Sequence, residues 1–72
     1  MELNKLALSG KVVLVQTCTK TTKVKKSDVK AWLNYGYDFF KEAENGDKLM
    51  IEGVSKGKPR YTCINFCKIS VV

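Results

Sequence analysis

Three cations within five residues, Lys56, Lys58 and Arg60, run directly into Tyr61. Cations that follow phosphates, together with flat aromatic faces on which bases stack, are the chemistry of a sequence-tolerant single-strand binder. A second group, Lys20, Lys23, Lys25, Lys26 and Lys30, encloses one acid, Asp28, and leads to the chain's single tryptophan, Trp32. These ten residues are the candidate nucleic-acid contacts: the cations for phosphates, and Trp32 and Tyr61 as stacking platforms. Each has a plainer reading. A lone Trp in a small domain also serves as a core anchor, and clustered lysines also keep a small domain soluble. Phe39, Phe40 and Phe66 read as core or subunit-contact residues.

The charge supports a polyanion partner. The net charge of +6 is unevenly spread: the segment from Asp38 to Glu52 holds Asp38, Glu42, Glu44, Asp47 and Glu52 against Lys41 and Lys48. One face is thus expected to be cationic and another mildly acidic, an asymmetry that suits a polyanion. Catalysis is not expected. The chain has no His, the commonest general base, and no nucleophile–base pair, phosphate-binding loop or carboxylate cluster. Its three cysteines, Cys18, Cys63 and Cys67, leave one unpaired in any disulfide scheme and cannot fill a four-ligand zinc site within one chain. They read as small reduced core residues, and no cofactor or metal is expected. No apolar run approaches the ~18 residues of a membrane span, and the N-terminus lacks the pattern of a signal peptide. A cytoplasmic protein is expected, with no membrane partner.

The elements that must position these residues are short, and 72 residues allow one domain. Lys48-Leu49-Met50-Ile51-Glu52-Gly53, the basic turn Val54-Ser55-Lys56-Gly57-Lys58-Pro59-Arg60, and Tyr61-Thr62-Cys63-Ile64 form a β-hairpin pattern with a cationic connection. Leu3 to Val15 reads as a long strand bent at Gly10. Thr17 to Val24 reads as a polar strand, and Lys25 to Asp28 as a turn. Residues 29–45 admit two readings. In one, Val29 to Leu33 is a strand, Asn34-Tyr35-Gly36 a turn, and Tyr37 to Glu44 a short helix capped by Gly46. In the other, Ser27 caps one helix over 28–44, with Val29, Leu33, Tyr37, Phe40 and Ala43 at helical spacing. The first is preferred, because Gly36 would sit mid-helix at a cost near 1 kcal/mol.

That first reading carries a family resemblance. Asn4-Lys5-Leu6-Ala7-Leu8-Ser9-Gly10-Lys11-Val12-Val13 resembles the opening strand of bacterial single-stranded-DNA-binding proteins. Ala31-Trp32 resembles the end of their third strand, and Leu49-Met50-Ile51-Glu52-Gly53 their fourth. Arg60-Tyr61-Thr62 resembles the start of their last strand. The resemblance touches about half the chain. It implies an all-β fold with one short helix, a small five-stranded OB-fold-like barrel spanning residues 1–72. The alternative fold is α+β, an open sheet with one longer helix over 28–44. The interval from Gly10 to Trp32 is shorter than the family's two hairpins need, and no acidic tail follows. A minimal module is expected, closer to the primosomal replication protein of that superfamily and suited to an accessory, phage or plasmid role in DNA replication.

Self-association is also expected. Read by alternation, Cys63, Cys67, Ile69 and Val71 fall on one side of the last strand, and Ile64, Phe66 and Val72 on the other with Lys68 and Ser70. Both sides are substantially apolar, so a homodimer or homotetramer would enlarge a marginal core. Two functions compete: a basic module that binds nucleic acid, single-stranded DNA foremost, and a non-enzymatic protein-interaction module that docks on an acidic partner surface.

Overall fold

The computed structural model describes residues 2–71. The elements run α1 (Leu3–Leu8), β1 (Val13–Gln16), β2 (Thr21–Val24), α2 (Lys26–Asn34), β3 (Phe40–Glu42), β4 (Lys48–Ser55), β5 (Lys58–Cys63) and β6 (Lys68–Val71). The strands form two antiparallel three-stranded sheets, ordered β2-β1-β6 and β3-β4-β5. Neither sheet closes into a barrel, so the five-stranded OB-fold-like barrel is corrected to two open sheets with two short helices. The long-helix alternative falls too, because α2 stops at Asn34.

The first correction lies at the N-terminus. Residues 3–8 are helical, not the first half of a strand. Leu3, Leu6 and Ala7 fall at i, i+3 and i+4, one helical stripe, and Ala7 is fully buried in the core with Val29. Gly10, at φ 93°, ends the helix in a left-handed turn rather than bending a strand. The β-branched residues that follow then form β1, where Val13 and Val15 point inward beside Val24.

The second correction covers residues 26–44. Val29 to Leu33 belongs to α2, whose N-cap is Lys25 rather than Ser27. Val29 is buried and Trp32 and Leu33 are partly buried on the core. The expected turn at Asn34-Tyr35-Gly36 is present, but it terminates this helix. The Gly36 N–H donates to the Leu33 carbonyl (3.0 Å) and the Tyr37 N–H to the Trp32 carbonyl (2.9 Å), with Gly36 at φ 88°. This is the Schellman closure, which needs a residue without Cβ strain at Gly36. The expected helix from Tyr37 to Glu44 is instead an extended approach and β3, as aromatic Phe39 and Phe40 favour. Gly46 does carry a positive φ of 89°, in the β3–β4 turn rather than at a helix cap.

The third correction divides the last strand. β5 ends at Cys63, a turn follows with the Cys67 N–H on the Ile64 carbonyl (3.1 Å), and β6 crosses to the other sheet. Ile64 is buried, whereas Phe66 is fully exposed in the turn. The two-sided apolar strand that motivated self-association is therefore not formed; Val72 lies outside the described residues.

Candidate nucleic-acid interface

The expected hairpin forms as β4 and β5, but the basic turn of residues 54–60 shrinks to Lys56-Gly57 and the rest of it is strand. This hairpin carries the best-defined cationic site. β3 pairs with β4 from Lys48 to Met50, so the hairpin continues beyond its neighbour as a two-stranded ribbon. Ser55 pairs with Lys58, leaving a two-residue loop, Lys56-Gly57, with φ of 53° and 74°. Positive φ at both central residues defines a type I′ turn, the hairpin loop that best matches strand twist. Asn-Gly is its favoured sequence. A Lys at the first position carries left-handed strain of about 1–2 kcal/mol.

The pairing register sorts the ribbon into two faces. Ser55, Lys58, Gly53 and Arg60 share one; Val54, Pro59, Ile51 and Tyr61 share the other. Between Ile51 and Gly53 the register slips by one residue, so Glu52 is the extra residue of a β-bulge. The Arg60 guanidinium lies over Gly53, with Nη2 3.7 Å from where a Cβ would stand. Lys56, Lys58 and Arg60 are all exposed. Among the described residues the one ion pair is Lys5 with Glu2 (3.2 Å), on α1 and its N-cap. The ribbon cations therefore have no acidic partner among those residues.

Two tyrosine hydroxyls hold the other face. Tyr37 donates to the Gly57 carbonyl at 3.2 Å, and Tyr61 donates to the Asp38 carbonyl at 2.9 Å. Through Tyr37 the ribbon tip meets α2: the Tyr37 ring lies 6.3 Å from Trp32, the contact that accompanies a Schellman closure. Trp32 in turn meets Tyr35 edge-on, at 6.4 Å and 61°. The Tyr61 ring is less free: the Lys41 ammonium sits 4.0 Å above its centroid. Burial, and then the Asp38 carboxylate, raise the Tyr61 phenol above its ordinary value of 10.0.

The remaining candidate residues are dispersed. Lys20 closes the β1–β2 turn, where the Thr17 hydroxyl accepts its N–H at 3.0 Å. Lys23 stands on the outer face of β2, opposite Leu14. Lys25 caps α2, and Lys26 and Lys30 are exposed on it. At 100° per residue, Lys30 and Trp32 project from opposite flanks of that helix. The structure thus joins Trp32 to the Lys56–Arg60 turn through Tyr37, and does not join it to Lys26 and Lys30. Sequence reasoning missed Tyr35 and Tyr37. Gly36, directly after an amphipathic run, is the signal that places both.

Three acids mark the opposite end of the sheet. In the β3–β4 turn, the Asp47 carboxylate accepts from the Asn45 amide (3.0 Å) and the Asn65 amide (2.7 Å), and Asn65 accepts the Lys48 N–H (2.7 Å). Glu42 and Glu44 are exposed beside it. No group of His, Cys, Asp or Glu among the described residues is arranged to hold a metal ion. None of the described helices is long and apolar enough to cross a membrane.

No protein-family model, curated protein or solved structure matches this chain.

Proposed function

We propose that the chain is a non-enzymatic nucleic-acid-binding module that grips the phosphate backbone, single-stranded DNA foremost, with the tip of the β4–β5 ribbon. The observation that carries this reading is the set of exposed cations Lys56, Lys58 and Arg60 on one projecting ribbon, with no acidic partner among the described residues. The turn itself adds support. It places Lys at a left-handed position where Asn would be more comfortable, and strain kept at one point of a fold is a reason to look for function there. Tying the tip to the body through Tyr37 lowers the ordering cost of binding. A backbone grip of this kind reads charge rather than sequence.

The test is a salt series. If the three ribbon cations engage about 3 phosphates, log K for oligo(dT) falls with log salt at a slope of roughly −2. Lys56→Glu with Lys58→Glu then weakens binding to every sequence and flattens the slope by at least about 1.4. Parent-like binding by this double variant would reject the ribbon as the grip.

One observation favours a second reading, a protein-interaction module. Phe66 is fully exposed at the β5–β6 turn, on the side of the sheet opposite the ribbon tip. If the chain binds no nucleic acid at low salt and Phe66→Asp alone abolishes binding to a partner protein, this second reading replaces the first.

A further inference from the structure

We infer that Tyr35 is a stacking platform for an unpaired base, and that it gives the ribbon's backbone grip its preference for single strands; this inference rests on the nucleic-acid reading above. Tyr35 is 75% exposed. Its backbone is fixed nevertheless. It is the C-cap of α2, with its N–H on the Ala31 carbonyl at 3.1 Å, and the Schellman closure at Gly36 follows directly. Its ring has one aromatic neighbour, Trp32, which meets it edge-on at 6.4 Å and leaves most of it exposed to solvent. An exposed aromatic ring on a fixed backbone loses less freedom when a base stacks on it.

Its location supplies the ligand. Tyr35, Trp32 and Tyr37 form a continuous aromatic series, and the last of them donates to the ribbon tip at Gly57. A strand whose phosphates lie on Lys56 and Lys58 therefore runs within a few nucleotides of Tyr35. A duplex keeps its base faces stacked inside and cannot offer one. A single strand, a bulge or a frayed end can. Tyr61, the other tyrosine beside the cations, is the poorer platform, because the Lys41 ammonium occupies one face of its ring.

Six binding measurements on the whole chain test the inference: the parent, Tyr35→Ala and Tyr35→Phe, each against a dT oligonucleotide and an abasic oligonucleotide of equal length. Tyr35→Ala is expected to weaken dT binding by about 5- to 150-fold, the range of one base–aromatic stack. It should leave abasic binding and the salt slope unchanged. Tyr35→Phe should bind both probes as the parent does. Circular dichroism serves as the folding control, and because the side chain is exposed both variants should fold. If Tyr35→Ala binds dT like the parent while Lys56→Glu with Lys58→Glu loses it, the platform is rejected and the backbone grip stands. Equal losses on dT and abasic probes also reject stacking. If the parent binds neither probe at low salt, the nucleic-acid reading itself fails.

Discussion

The two ends of the β3-β4-β5 sheet treat their polar groups in opposite ways. At the acidic end, Asp47 accepts from Asn45 and Asn65, Asn65 accepts from Lys48, and the Asn4 side chain closes the edge of β3. Asn4 donates to the Phe40 carbonyl (2.9 Å) and accepts its N–H (3.0 Å), as a neighbouring strand would. At the other end, about 23 Å away along β4 at ~3.3 Å per residue, Lys56, Lys58 and Arg60 have no internal partner among the described residues. The backbone there is restrained by tyrosine hydroxyls, and the charges are not. At one end the polar groups are satisfied within the fold, and at the other the charges face solvent. Stability and binding should therefore respond to different residues.

Asn65→Ala should have the largest effect on stability. It removes one hydrogen bond to a carboxylate and one from a backbone N–H, at about 1 to 3 kcal/mol by urea denaturation. Oligonucleotide affinity of the folded protein should not change. A loss of affinity would mean that the two ends are coupled.

Tyr61→Phe should cost about 0.5 to 1.5 kcal/mol at neutral pH through the lost bond to Asp38. The same residue gives a pH signature. Its folded pKa lies above the ordinary 10.0, so its contribution is complete below pH 10 and is lost as pH rises through the folded value. Melting temperatures of parent and variant should converge in that alkaline window. A constant gap would show that the phenol does not titrate against the fold.

Lys56→Asn sharpens the contrast at a single position. Asn tolerates the left-handed turn better, so stability should rise by about 0.5 to 1 kcal/mol. The salt slope for oligo(dT) should flatten by about 0.7, the share of one phosphate contact. A stabilised variant with an unchanged slope would remove Lys56 from the interface. Asp38→Asn should have the smallest effect. Removing the carboxylate beside Tyr61 should tighten oligonucleotide binding by less than about 0.5 kcal/mol and lower the Tyr61 pKa. Tyrosine absorbance against pH checks the second part.

The ribbon was legible because its signals are local. An apolar run, a connection rich in turn formers and clustered cations all lie within residues 48–64. α1 was not, because a six-residue helix has no stability of its own and forms by burying Ala7 against the core. The break between β5 and β6 was hidden for a related reason. Residues 64–67 contain no Gly or Pro, and the turn is held by Asn65 on Asp47, 18 residues earlier in the chain. Val29 to Leu33 satisfies a strand reading locally, and burial of Val29 against α1 favours the helix. At the site, the cations were readable by type. The aromatic series was not, because it depends on the closure at Gly36, which brings Tyr37 over Trp32.

Amide chemical-shift mapping during an oligo(dT) titration tests the central claim most directly. The account predicts shifts at Tyr35, Gly36 and Lys56 through Arg60, with Asn45 through Lys48 and Asn65 unmoved. Shifts centred on the Asp47 turn, or on Lys23 and Lys68 across the β2-β1-β6 sheet, would contradict it.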